Sequence, residues 1–133
     1  MNKSGAKAHV GTRFCLVHKE RYDTAMKKKN YRERLTVKRS FAGFGLFTTQ
    51  PIKKGECIIE YTGKKLTNAQ ADKKGGRYLF IVNKRTVLNG SGRDNFARYA
   101  NHSCKPNSEI DVKRGKIFIF AKRRIGAGEE VTY

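Results

Sequence analysis

The chain has 133 residues, room for one domain with one modest core, and no apolar run approaches the 18 or so residues of a membrane span. It carries 30 Lys and Arg against 11 Asp and Glu, a formal net charge of +19, yet 38% of its residues are hydrophobic, so it is neither wholly disordered nor neutral toward polyanions. Three cysteines, Cys15, Cys57 and Cys104, make an odd number without a signal-like apolar stretch, which argues against a disulfide framework and for a reducing, intracellular setting.

Residues 1–34 read as a basic N-terminal arm. They show no sustained hydrophobic period and include Lys27-Lys28-Lys29, which fits either a solvated leader or a nucleic-acid contact. Cys15 and His18 have a spacing that zinc sites use, but one pair supplies two of four ligands, and no metal site is expected. The charge is not confined to this arm. Residues 1–40 hold 12 basic and 3 acidic residues and residues 41–133 hold 18 and 8, so the excess is either a solubilising surface or a contact for nucleic acid.

From Leu35 the pattern changes to short β segments separated by polar and glycine turns. Strands are predicted at Leu35–Arg39, Gly45–Thr48 and Cys57–Tyr61, with Lys53-Lys54-Gly55-Glu56 as a turn. Thr67 is a capping residue for a helical turn or two reaching Asp72. Strands at Arg77–Val82 and Arg85–Asn89 follow, then a brief helix at Asp94–Ala100. Glu109–Lys113 alternates, Arg114-Gly115 turns, and Lys116–Ala121 returns as a more buried strand, which makes a hairpin. Ile125-Gly126-Ala127-Gly128 turns into the terminal Glu129–Tyr133. The fold class is therefore mainly β.

Two segments bear on chemistry. Gly43-Phe44-Gly45 marks a turn or bulge, or a close backbone approach to a ligand, and lacks the rest of a dinucleotide fingerprint. Arg98-Tyr99-Ala100-Asn101-His102-Ser103-Cys104-Lys105-Pro106-Asn107 is a short helix ending in a dense polar loop, whose Asn, His and Ser can each bind backbone groups.

As a string, that second segment resembles the hallmark of the SET-domain protein-lysine methyltransferases: arginine, hydrophobic residues, Asn-His-Ser-Cys, any residue, Pro-Asn. Other landmarks come in the family's order. Ser40–Phe47 is similar to its first motif, followed by Ile52–Glu56, Ile59–Gly63, Tyr78-Leu79-Phe80 and Ile125–Tyr133. The resemblance covers residues 35–133 and implies a fold of small β-sheets around a C-terminal pseudoknot with few short helices. It implies a domain that continues past the last residue in hand, because the family's last motif goes on from the position of Tyr133 to a second tyrosine.

The same resemblance implies S-adenosylmethionine as cofactor. The backbone around Gly43, Phe44 and Gly45 would hold its methionine part, Asn101 and His102 its amino and adenine ends, and Arg98 would support the cofactor loop. Tyr78 would border both cofactor and lysine channel, and Tyr78 and Tyr133 would orient the reacting amine. Cys104, which binds zinc in relatives with a cysteine-rich tail, has no partners here. The implied partner is a lysine-bearing protein, a histone tail or another basic nucleic-acid-associated protein, in the nucleus or on chromatin in a eukaryote or virus and in the cytoplasm or nucleoid in a bacterium. Because Tyr133 stands where relatives carry phenylalanine or tyrosine, monomethylation is implied. The rival reading is an inactive SET scaffold that binds nucleic acid or chromatin through its charge.

Overall fold

The structure, a computed structural model, describes residues 31–41 and 43–133. Residues 1–30 of the basic arm, with Cys15, His18 and Lys27–Lys29, lie outside the described residues. Tyr31–Arg34, on the arm side of the expected boundary, pack onto the domain. Tyr31 rests against the core, Arg34 pairs with Glu56 at 3.1 Å, and the Arg34 carbonyl accepts from Thr49 N at 2.8 Å.

Among the described residues, eight strands form three small antiparallel sheets. β1 (Leu35–Ser40) and β2 (Gly43–Thr48) make a two-stranded ribbon. β3 (Cys57–Tyr61), β7 (Ser108–Lys113) and β8 (Lys116–Ala121) form a sheet in the order β3-β8-β7, and β4 (Lys64–Thr67), β5 (Leu79–Asn83) and β6 (Thr86–Asn89) form one in the order β4-β6-β5. The mainly β class expected from the sequence is the class observed.

The β7–β8 hairpin follows its sequence closely. Arg114 and Gly115 both have positive φ, 52° and 73°, as a two-residue turn between twisted strands requires. β8 is the middle strand of its sheet, which explains why every residue after Lys116 is apolar and buried. Its side chains alternate between two cores. Ile117, Ile119 and Ala121 enter the main core with Leu46, Ile52, Ile58 and Val131, while Phe118 and Phe120 face the other way onto Cys57 and Tyr31. A buried side chain of this size contributes about 1.5 to 3 kcal/mol.

Helix α1 (Asn68–Lys74) starts at the predicted cap. Thr67 Oγ1 accepts from Gln70 N at 3.2 Å and Gln70 Oε1 accepts from Thr67 N at 3.0 Å, a reciprocal capping box. The segment predicted as a brief helix at Asp94–Ala100 is one 3-10 turn, Phe96–Tyr99. Asn95 stands at its start without capping it, because its side chain is used elsewhere: it accepts from Thr62 N at 3.1 Å and donates to Gly90 O at 2.9 Å. That buried amide ties together three segments that meet at Tyr61.

The last residues, 125–133, are laid between β2 and the loop that follows the 3-10 turn. On one side Val131 N donates to Leu46 O at 2.7 Å; on the other Tyr133 N donates to Asn101 O at 3.0 Å and Ser103 N to Tyr133 O at 2.9 Å. Asn107, 97% buried, works like a clamp, donating from Nδ2 to Glu130 O at 2.6 Å and accepting Thr132 N at 3.0 Å. Thus the two ends of the domain, and the loop between them, meet in one place.

Candidate active site

The place where they meet borders a cavity of about 350 Å³, within the range of roughly 300 to 1,000 Å³ usual for small-molecule sites. Gly43 and Phe44 come from the β1–β2 ribbon, Tyr61 from β3, Phe80 from β5, Arg98 to His102 from the 3-10 turn and its loop, and Tyr133 from the tail; Arg77 and Tyr78 precede β5. Of the candidate residues, Gly43, Phe44, Tyr78, Arg98, Asn101, His102 and Tyr133 all line it. Gly45 does not. A Cβ there would overlap Glu130 Oε1 and come 2.8 Å from Ser40 Cβ, so the missing side chain leaves room for the Glu130 carboxylate. Gly43 is glycine for its φ of 106°, and a Cβ on it would meet nothing.

One wall is aromatic. The Tyr61 and Phe80 rings lie 4.6 Å apart between centroids, Phe80 and Tyr133 5.8 Å, and Tyr133 and His102 6.2 Å edge to face. Tyr61 is anchored by its hydroxyl, which donates to Tyr78 O at 3.1 Å, and Gly90 has no side chain because a Cβ would run into the same ring. Burial pushes the Tyr61 phenol well above its ordinary range, helped by Tyr133 and Tyr78 and opposed by Arg98, and burial also pushes Tyr133 up. Both hydroxyls are therefore neutral at physiological pH. They are not bases: Tyr61, its proton engaged by Tyr78 O, can accept a hydrogen bond from a ligand, and Tyr133 can donate or accept one.

The opposite wall is cationic and amide-rich. The Arg98 guanidinium lies 5.3 Å over the Tyr78 ring and 4.8 Å over Tyr99, donates to Tyr99 Oη at 3.1 Å and to the Ser91 carbonyl, and leaves Nε buried with no partner among the described residues. The Arg77 guanidinium also lies over the Tyr78 ring, 5.5 Å from its centroid. Asn101 donates from Nδ2 to Phe44 O at 3.0 Å and to Glu130 Oε1 at 2.8 Å, and so joins the loop to the ribbon and the tail.

These residues fit S-adenosylmethionine. Electron-rich ring faces suit a sulfonium, an amide suits an ammonium, and Arg98 has an unused buried donor for a carboxylate. Among the described residues no three His, Cys, Asp or Glu side chains cluster, and Cys104 is exposed and free.

Residues 43–133 match the family model of the SET domain. The chain belongs to the SET-domain family. The SET domain is 39% identical over 119 residues, 80% of this chain, to the histone-lysine N-methyltransferase trithorax of Drosophila virilis. It is 36% identical over 103 residues, 68% of the chain, to the histone-lysine N-methyltransferase SETD1B of Homo sapiens, and 35% over 119 residues, 79% of the chain, to histone-lysine N-methyltransferase set1 of Dictyostelium discoideum. The chain spans 3%, 5% and 8% of the lengths of these relatives, so what it shares with them is this domain. No helix among the described residues is long and apolar enough to cross a membrane.

Sequence reasoning missed three contributors to this site. Tyr61 and Phe80 stand in motifs that gave them no role; their signal was an aromatic in each of two strands, and only the tertiary structure brings their rings to 4.6 Å. Glu130 sits in a run of polar residues that gave no reason to single it out.

Proposed function

We propose that this SET domain transfers a methyl group from S-adenosylmethionine to the side-chain amine of a protein lysine, in a histone tail or another basic protein associated with nucleic acid, and chiefly once per lysine. One observation carries the reading: the ribbon at Gly43-Phe44, the Asn101-His102 loop and Tyr61, Tyr78 and Tyr133 converge on a single cavity. The names of the relatives support the lysine substrate and a chromatin setting.

Gly43, Phe44, Asn101 and His102 bind the cofactor, with Arg98 backing the loop. When bound, S-adenosylmethionine supplies a methyl carbon on a sulfonium sulfur, open to in-line attack by an amine. The protein's task is alignment and environment. The Tyr61, Phe80 and Tyr133 wall strips water from an incoming lysine, and Arg77 and Arg98 add positive charge nearby; both effects lower the ammonium pKa and favour the free amine. The neutral hydroxyls of Tyr61 and Tyr133 orient that amine and leave its lone pair for the reaction. A histone tail is itself basic, so the chain's charge of +19 does not attract it and serves contact with adjacent nucleic acid instead.

Radiolabelled methyl transfer to histones and ribosomal proteins, beside calorimetry with S-adenosylmethionine, tests the reading. The expected result is heat of binding, a raised Tm and labelled lysine. Saturating cofactor that produces neither heat nor stabilisation in the folded protein would leave the fold as a basic scaffold without catalysis.

A further inference from the structure

We infer that Glu130 is a positioning residue for the cofactor site, acting through the side-chain amide of Asn101; the inference rests on the methyl-transfer reading for its ligand, though its geometry does not. The Glu130 carboxylate accepts the single hydroxyl proton of Ser40, shared between its two oxygens at 2.8 and 2.9 Å, and an N–H of Asn101 Nδ2 at 2.8 Å. Its backbone forms an isolated bridge with Phe47 of β2. One side chain of the tail thus holds the β1–β2 ribbon and the Asn101 loop together, the two segments that bring Phe44 and Asn101 to the cavity.

The chemistry of the neighbours fixes which way the Asn101 amide points. Phe44 O and Glu130 Oε1 are both acceptors, so the amide must turn its NH2 group toward them, and both of its N–H bonds are consumed. Its oxygen is then the only end left for a ligand, and among the described residues no hydrogen bond to it is made. An amide held in this way presents an acceptor to a ligand ammonium group at no cost in ordering. Freed from Glu130, the amide could turn over and present donors, which an ammonium repels.

Gly45 belongs to the same device. Its missing side chain is the space the Glu130 carboxylate occupies, since a Cβ would overlap Oε1. A glycine that looks like a ligand-approach residue is therefore part of the support behind the site.

Two measurements on the full chain separate this inference from the reading it rests on. The first needs no ligand: by NMR, the Asn101 side-chain NH2 should exchange slowly with solvent in the wild type and rapidly in Glu130→Ala. Rapid exchange in the wild type overturns the inference even if the protein binds S-adenosylmethionine well. The second is affinity for S-adenosylmethionine. Glu130→Ala should weaken it about 10- to 100-fold, the loss of one charge-assisted hydrogen bond's worth of order. Glu130→Gln can still accept from Asn101 while its own NH2 faces the Ser40 hydroxyl, and should stay within about threefold of wild type. Asn101→Ala should cost affinity in the wild type and almost nothing further in Glu130→Ala, as coupled residues do. Additive losses, or equal losses for Gln and Ala, mean that Glu130 only stabilises the fold. If the wild type binds no S-adenosylmethionine while its Asn101 amide exchanges slowly, the ligand reading fails and the positioning geometry stands.

Discussion

Replacing Asn107 with alanine should loosen the tail and, through it, the site. The Asn107 side chain, 3% exposed, is the donor to Glu130 O and the acceptor from Thr132 N, and no other described group is bonded to either of those backbone atoms. Alanine leaves one carbonyl and one N–H without partners beneath the tail. Each such group costs about 1 to 3 kcal/mol, and with water entering the space left behind the total should be about 2 to 4 kcal/mol. For a domain of this size that corresponds to a fall in Tm of about 8 to 16 °C. Thermal unfolding followed by circular dichroism measures it. Near Tm the two-state fit should hold, since the main core draws residues from the ribbon, the sheets and the tail. A Tm within about 3 °C of wild type, under 1 kcal/mol on the same scale, would show that the tail is held by its other contacts, among them backbone pairing with Leu46, Thr48, Asn101, Ser103 and Ser108. Asn107→Asp is a sharper version, because it keeps the acceptor for Thr132 N but sets a carboxylate against the Glu130 carbonyl and the Glu129 side chain, and it should be no more stable than the alanine variant.

Three further predictions concern chemistry and charge. Under the monomethylation proposal, a second transfer makes a methylated amine turn its bulk toward the Tyr133 hydroxyl and give up hydrogen bonds there at a cost of about 1 to 3 kcal/mol, enough to slow that transfer about ten- to a hundredfold, so Tyr133→Phe should raise di- and trimethyllysine in mass spectra of a peptide product, and abundant trimethyllysine from the unmodified protein would contradict the proposal. Arg123 beside Glu129 holds its carboxyl down at about 2 against an ordinary 4.5, with help from Gly126 N–H and Asn107 and against the effect of burial, so this pair contributes its stability in full above about pH 4.5 and loses it as the pH falls toward 2. Side chains 55% and 35% exposed are well screened, so the effect is small, but Glu129→Gln should flatten that acid stretch of the stability curve, and an unchanged slope would mean the pair is absent in solution. Duplex DNA or RNA should bind with micromolar or weaker affinity, without sequence preference, and lose affinity steeply with salt; filter retention at two ionic strengths reads this, and no retention at low salt would reduce the charge of +19 to a solubility feature.

Local chemistry decided whatever could be read without the structure. Period-2 alternation and the Arg114-Gly115 turn define the β7–β8 hairpin because backbone twist and side-chain direction are properties of neighbouring residues. Thr67 is a cap for the same reason: its partner, Gln70, is three residues away. The linear order of motifs was enough to identify the family, and seven of the eight residues expected at the site do line one cavity. β4 was invisible because Lys64-Lys65-Leu66-Thr67 has no apolar alternation and little burial; it is a strand only because β6 offers its backbone a partner. Asn95, one of the residues expected in the brief helix at Asp94–Ala100, is instead a tie between Thr62 and Gly90, a role set by tertiary contacts. The roles of Gly45 and Glu130 depend on a contact across 85 residues, and Tyr61 meets Phe80, and Phe80 meets Tyr133, only through contacts between distant segments. Sequence alone determined which elements form and which family they serve, because those are written in near neighbours; tertiary structure alone decided which side chains face the cavity and which hold others in place, because that depends on distances between segments that no spacing along the chain encodes.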